Sequence, residues 1–97
     1  MKFKLISPAD QELIDIVNYY EKQEINLGNQ FLAEFYETIN LIGKYPKLWG
    51  KVGKKTHKAQ LNRFPYTLLY IIEDKTILIT CLAHQNRKPD HWISRAL

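Results

Sequence analysis

The apolar residues of this chain recur at helical spacing in its first half and by alternation in its second, and that change of period confines the fold. Leu13, Ile16, Val17 and Tyr20 form one helical stripe, and Phe31, Phe35, Ile39 and Ile42 form another. Alternating runs then predict strands at 57–63, 66–72 and 76–83, with Glu73-Asp74-Lys75 as the tight turn that makes the last two a hairpin. A short strand, Lys2-Phe3-Lys4-Leu5-Ile6, precedes the helices, and the region of Pro89 is expected to begin a short terminal helix carrying Trp92, Ile93 and Leu97. Residues 1–97 are thus expected to form a single α+β domain of order β-α-α-β-β-β, an antiparallel sheet packed on a helical hairpin.

Local signals sharpen this outline. In Ser7-Pro8-Ala9-Asp10, Ser7 is expected to cap the first helix, Pro8 to take its first position and Asp10 to complete a capping box. Asn26-Leu27-Gly28-Asn29 is predicted to break that helix, and Tyr45-Pro46 to end the second. The helical spacing of the aromatic residues assigns them to the core and not to a base-stacking platform. Tyr66 and Tyr70 fall on one face of their strand, with Tyr70 expected in the core. Cys81, alternating with Ile77 and Ile79, reads as a buried core thiol.

A hydrophobic fraction of 45% with 25% charged residues excludes disorder. The longest strongly apolar run, 76–83, is far too short to span a bilayer. The first residues do not make a signal peptide, and a lone cysteine forms no internal disulfide, so a cytoplasmic location is expected. The net charge of +4 conceals a division: residues 1–37 carry three lysines against seven acids, and residues 38–97 carry eleven lysines and arginines against three. Between residues 38 and 72 there is no acid, while Lys44, Lys47, Lys51, Lys54, Lys55, Lys58 and Arg63 are all present. A one-signed field of this kind gathers polyanions.

Two clusters carry the candidate chemistry. Arg63-Phe64-Pro65-Tyr66-Thr67-Leu68-Leu69-Tyr70 sets a basic residue beside a turn and two tyrosines, and His84-Gln85-Asn86-Arg87-Lys88-Pro89-Asp90-His91-Trp92 gathers imidazoles, cations and an indole. Cys81, His84 and His91 lack zinc spacing, and Gly50 and Gly53 match no P-loop. No nucleophile elbow, paired catalytic carboxylates or nucleotide fingerprint appears, so neither metal nor cofactor is expected. What remains is phosphodiester chemistry: Arg87 neutralises charge and His91, four residues on, moves a proton, whereas His84 reads as a strand-end residue. Target or nucleic-acid binding falls to Lys54, Lys55, Lys58, Arg63, Arg87, Lys88 and Trp92.

Arg63-x-Pro65-Tyr66-x-x-x-Tyr70 and His84-x-x-Arg87-x-Pro89-x-x-Trp92-x-x-Arg95, with Phe31-Leu32 and Tyr45-Pro46 before them, resemble the RelE/ParE toxin superfamily of type II toxin–antitoxin modules. The resemblance runs from Ser7-Pro8-Ala9 to Arg95 and implies a microbial-RNase-like fold, a toxic activity and a cognate antitoxin encoded nearby. It also implies one of two targets. RelE-like toxins cut ribosome-bound mRNA, and their catalytic set maps here onto Lys58, Arg87 and His91; ParE-like toxins poison DNA gyrase. Gln60 and Thr67 stand where that set usually has a lysine and an arginine, which favours the ParE-like branch. A non-toxic binding module that keeps the fold is the third alternative.

Overall fold

A computed structural model describes residues 1–86 together with Arg95. The elements are β1 (Lys2–Leu5), α1 (Ala9–Gln23), α2 (Leu27–Lys44), β2 (His57–Gln60), β3 (Tyr66–Glu73) and β4 (Thr76–His84). This is the expected β-α-α-β-β-β order, with the helical hairpin on one face of a four-stranded sheet ordered β1-β4-β3-β2. The sheet is mixed and not wholly antiparallel: β2, β3 and β4 alternate in direction, whereas β1 runs parallel to β4. The proposed terminal helix lies outside the described residues.

Both helices bury the stripes read from the sequence. Leu13 and Ile16 of α1 join Phe31, Phe35, Ile39 and Ile42 of α2 against Leu68, Tyr70, Ile77, Ile79 and Leu82 of the sheet. Tyr20 stacks on Phe31 at 5.6 Å, and Phe64 meets both rings edge-on at 4.9 and 5.1 Å. Such pairs add about 0.5–1.5 kcal/mol each beyond the area they bury.

The start of α1 differs from expectation. Pro8 occupies the N-cap position and no side chain caps the helix, so Ser7 is not the cap. Asp10 and Glu12 nevertheless lie in the first turn, where the helix dipole favours carboxylates. The break between helices also falls earlier than predicted. Glu24 is extended, Asn26 is left-handed at φ 73°, and Leu27, Gly28 and Asn29 already belong to α2. Glu21 of α1 accepts the Asn26 and Gly28 N–H groups at 2.8 and 3.0 Å, supplying the cap that α2 lacks from its own side chains. Gly28 is required by proximity, since a Cβ there would stand 2.6 Å from the Val17 carbonyl oxygen.

The β3–β4 hairpin turns on Asp74 and Lys75 alone, at φ 49° and 60°, the backbone of a two-residue turn matched to strand twist. Leu69 pairs with Cys81 but Tyr70 pairs with Ile79, so Thr80 is an unopposed bulge residue. Ile77, Ile79 and Leu82 therefore face the helices, while Cys81 and Ala83 turn to the other side and pack with Leu69 under Val52. Cys81 is buried as expected, but on the face opposite Ile77 and Ile79.

Tyr70 is fully buried, and among the described residues its hydroxyl has no hydrogen-bond partner. Tyr70→Ala is expected to cost about 3 kcal/mol or more, whereas Tyr70→Phe should be neutral or stabilising because it removes an unsatisfied polar group. Burial pushes the phenol from 10.0 up to about 12, so above pH 10 the unfolded chain releases a proton that the folded chain keeps. The stability tied to this group is complete below pH 10 and is lost as pH rises through about 12. Denaturant melts across that window should show a falling slope in the wild type that is reduced in Tyr70→Phe.

Candidate functional site

The acid-free stretch folds into a small cationic hairpin along the outer edge of β2. The Val52 N–H donates to the Thr56 carbonyl at 2.8 Å, Lys51 bridges His57, and the Lys58 N–H donates to the Gly50 carbonyl at 3.0 Å. This pairing places Gly53, Lys54 and Lys55 at the tip and Lys51 and Lys58 at the base, all exposed. None of these lysines is within ion-pair distance of a described carboxylate, so their field is directed to solvent.

Both faces of the sheet hold this hairpin in place. His57 donates from Nδ1 to the Trp49 carbonyl at 2.9 Å, and its ring stacks on Tyr70 with centroids 5.2 Å apart. Trp49 packs against the main core on that side, while on the other side Val52 covers Leu69, Cys81 and Ala83. An anchored base under an exposed lysine tip suits charge recognition more than acid–base chemistry. Tyr45 and Leu48, exposed beside Lys44 and Lys47, extend the surface.

The predicted site residues divide between two sides of the molecule. Lys54, Lys55 and Lys58 lie together on the hairpin and β2. Alternation along β2 turns Lys58 and Gln60 away from the helices, and Gln60 is the register partner of Thr67. The two departures from the ribonuclease pattern therefore meet at one point beside Lys58, where an amide and a hydroxyl replace two cations. Arg63 lies elsewhere: its Nη2 donates to Gln30 at 2.7 Å, its guanidinium lies 5.4 Å from the Phe64 ring, and Glu34 accepts the Asn62 and Arg63 N–H groups. It fastens the β2–β3 connection to α2. Arg87, Lys88, His91 and Trp92 lie outside the described residues.

A cleft of about 300 Å³ opens between α1 and β4, lined by Glu12, Asp15, Ile16, Tyr19, Tyr66, Leu82 and His84. His84 meets Tyr66 edge-on at 5.0 Å, and its Nδ1 accepts the Asn86 N–H at 3.0 Å. Burial, then the neighbouring Tyr66 and Tyr19, raise the Tyr20 phenol above its ordinary range. The Asp15 carboxylate of this cleft disfavours a phosphate. The imidazole of the cleft is also separated from Lys58, which lies two strands away, opposite Leu69, on the other face. Among the described residues no group of three metal-ligating side chains occurs.

One interaction escaped the sequence. Beyond the end of β1, the outer edge of β4 is closed by side chains: the Leu82 N–H donates to Glu12 at 3.1 Å, and Arg95 donates to the Thr80 carbonyl at 3.1 Å. Arg95 and Glu12 form an ion pair at 2.9 Å, and this hydrogen-bonded partner raises the Arg95 pKa. The two residues stand 83 positions apart, so no local pattern could reveal the pair.

The family model of the ParE toxin of the type II toxin–antitoxin system parDE matches residues 4–89. The chain belongs to the ParE toxin family. This ParE-family fold superposes on a chain of the chromosomal ParDE system from P. aeruginosa with a TM-score of 0.70 at 17% identity, covering 87% of this chain and 95% of that one. It also matches the isolated E. coli RelE toxin, with a TM-score of 0.60 at 13% identity over 97% and 94% of the two chains. Comparison with curated proteins gives no match. The ParE-family chain is therefore a toxin of the RelE/ParE superfamily, as its motifs implied.

Glu12→Ala would remove the acceptor of the Leu82 N–H and one of the acceptors of Arg95, which keeps the Thr80 carbonyl. It is expected to destabilise this ParE-family protein by about 1–3 kcal/mol, the cost of stranding partly buried donors. Urea melts check this, and an unchanged midpoint would show that the edge needs no closure.

Proposed function

We propose that this toxin arrests growth by poisoning DNA gyrase and is neutralised by a cognate antitoxin. The family match over residues 4–89 carries the reading. It is supported by Gln60 and Thr67, which meet where a ribonuclease would gather cations. The cationic hairpin supplies the target surface, with Lys54, Lys55 and Lys58 meeting the anionic gyrase–DNA assembly. Neither metal nor cofactor enters this reading. Among the described residues no helix is long and apolar enough to cross a membrane, and the proposed target places the action in the cytoplasm.

The shared fold with RelE keeps a second reading, ribosome-dependent mRNA cleavage, open to a direct test. Gyrase supercoiling and primer extension on mRNA from a translating extract are to be run on one preparation. The gyrase reading expects stalled supercoiling with protein-linked DNA breaks and intact mRNA. Ribosome-dependent cuts that fall about 100-fold in Arg87→Ala and His91→Ala would establish the ribonuclease instead, that being the usual scale for losing a charge stabiliser or a general acid. Folded protein that binds its antitoxin yet is silent in both assays would be a binding module.

A further inference from the structure

We propose that the cleft between α1 and β4 is a binding site for an organic cation, a guanidinium or alkylammonium group carried on an aliphatic stem. The inference is independent of the gyrase reading and concerns a site separate from the cationic hairpin.

Aromatic rings form much of the cleft's wall. Tyr66 and His84 are register partners on β3 and β4, and their rings meet at 87° with centroids 5.0 Å apart, which makes an aromatic corner. Tyr19 faces the cleft from the α1 side and remains 58% exposed. The face of such a ring is electron-rich and attracts a cation. Buried Ile16 and Leu82 supply apolar surface along which a methylene stem can lie while its charged head stays at the polar rim. A volume of about 300 Å³ is at the small end for ligand pockets, so the cleft suits one side chain or a short amine.

Charge decides the sign of the ligand. Asp15 and Tyr19 are four residues apart on α1, so the carboxylate and the ring are neighbours on the helix surface. Asp15 accepts from the Gln11 side-chain amide at 2.8 Å, a neutral partner, and among the described residues no cation lies within ion-pair distance of it. Glu12, on the same wall, already holds the Arg95 guanidinium at 2.9 Å, so a carboxylate of α1 recognises this chemistry within the chain itself. Among the described residues neither lysine nor arginine lines the cleft. An anion would be repelled by Asp15, and a neutral planar ligand would use the rings and leave the carboxylate unmatched. A cation uses both, and a guanidinium adds planar stacking on the rings.

The test titrates three probes into the full chain and follows the side-chain NMR signals of Tyr19, Tyr66 and His84. The probes are Nα-acetyl-arginine amide, spermidine, and Nα-acetyl-citrulline amide, which keeps the shape of arginine without its charge. Saturable shifts at these three residues are expected with at least one cation, and its Kd should be lower than that of the citrulline probe by about fivefold or more. Tighter binding of the arginine probe would identify the source as a protein side chain, and tighter binding of spermidine would identify a free polyamine; either supports the site. Asp15→Asn keeps an acceptor for Gln11 and should melt like the wild type, yet weaken cation binding about fivefold, and wild-type binding should weaken as salt rises. Tyr19→Leu keeps apolar volume at an exposed position and should weaken the cation more than the citrulline probe. Equal affinity for the citrulline and arginine probes, undiminished binding by Asp15→Asn, or no saturable shift with either cation would overturn the proposal.

Discussion

The central hairpin is buried on both faces, and the unopposed Thr80 makes that possible. Before the bulge, Ile77 and Ile79 pack under the helices; after it, Leu82 still does, while Cys81 and Ala83 serve the opposite layer with Leu69 and Val52. An unbroken alternation would have kept Cys81 in phase with Ile79 and moved Leu82 to the other face. Each large apolar side chain so buried contributes about 1.5–3 kcal/mol. The helical hairpin and the cationic hairpin are therefore anchored to the same two strands. Their relative placement is fixed by one register irregularity, and Tyr70, in the helix-side core, ties that core to the cationic hairpin through its stack on His57.

That anchoring separates the charges in space as well as in sequence. Most of the acids lie on the helices, and several are used internally: Glu21 caps α2, Glu34 holds the β2–β3 connection, and Glu12 closes β4 with Arg95. The lysines of the hairpin have no such duties among the described residues. A surface of unneutralised lysines on a rigid base is an attractor for an anionic target, and its strength falls with ionic strength. An acid–base centre needs a different arrangement, in which imidazole and cation converge on one phosphate. Of the described histidines, His84 lies in the cleft beside α1 and Lys58 on the far face, so His84 does not pair with Lys58 in such a centre.

Much of this was legible in the residues because it depends on short periods. Phe31, Phe35, Ile39 and Ile42 declared their helix, and alternation placed Tyr66 and Tyr70 on one face. What stayed hidden depends on contacts between distant parts of the chain. Gly28 reads as a helix breaker because glycine usually ends helices, yet here it admits the Val17 carbonyl. A four-residue β1 carries no sign of its parallel direction, and the bulge that moved Cys81 has no signature of its own. Arg63 looked like a free cation until α2 was seen beneath it. Arg95, the last arginine of the resemblance motif, is paired with Glu12 of α1.

The central claim is that toxicity resides in the cationic hairpin. The most direct measurement is growth arrest on induction of Lys54→Glu/Lys55→Glu, beside His91→Ala, with folding checked by thermal melts. Charge reversal at the exposed tip should leave the melt unchanged and abolish arrest, while His91→Ala stays toxic. Full arrest by the charge-reversed protein, together with its loss in His91→Ala, would contradict the account and return the activity to proton transfer.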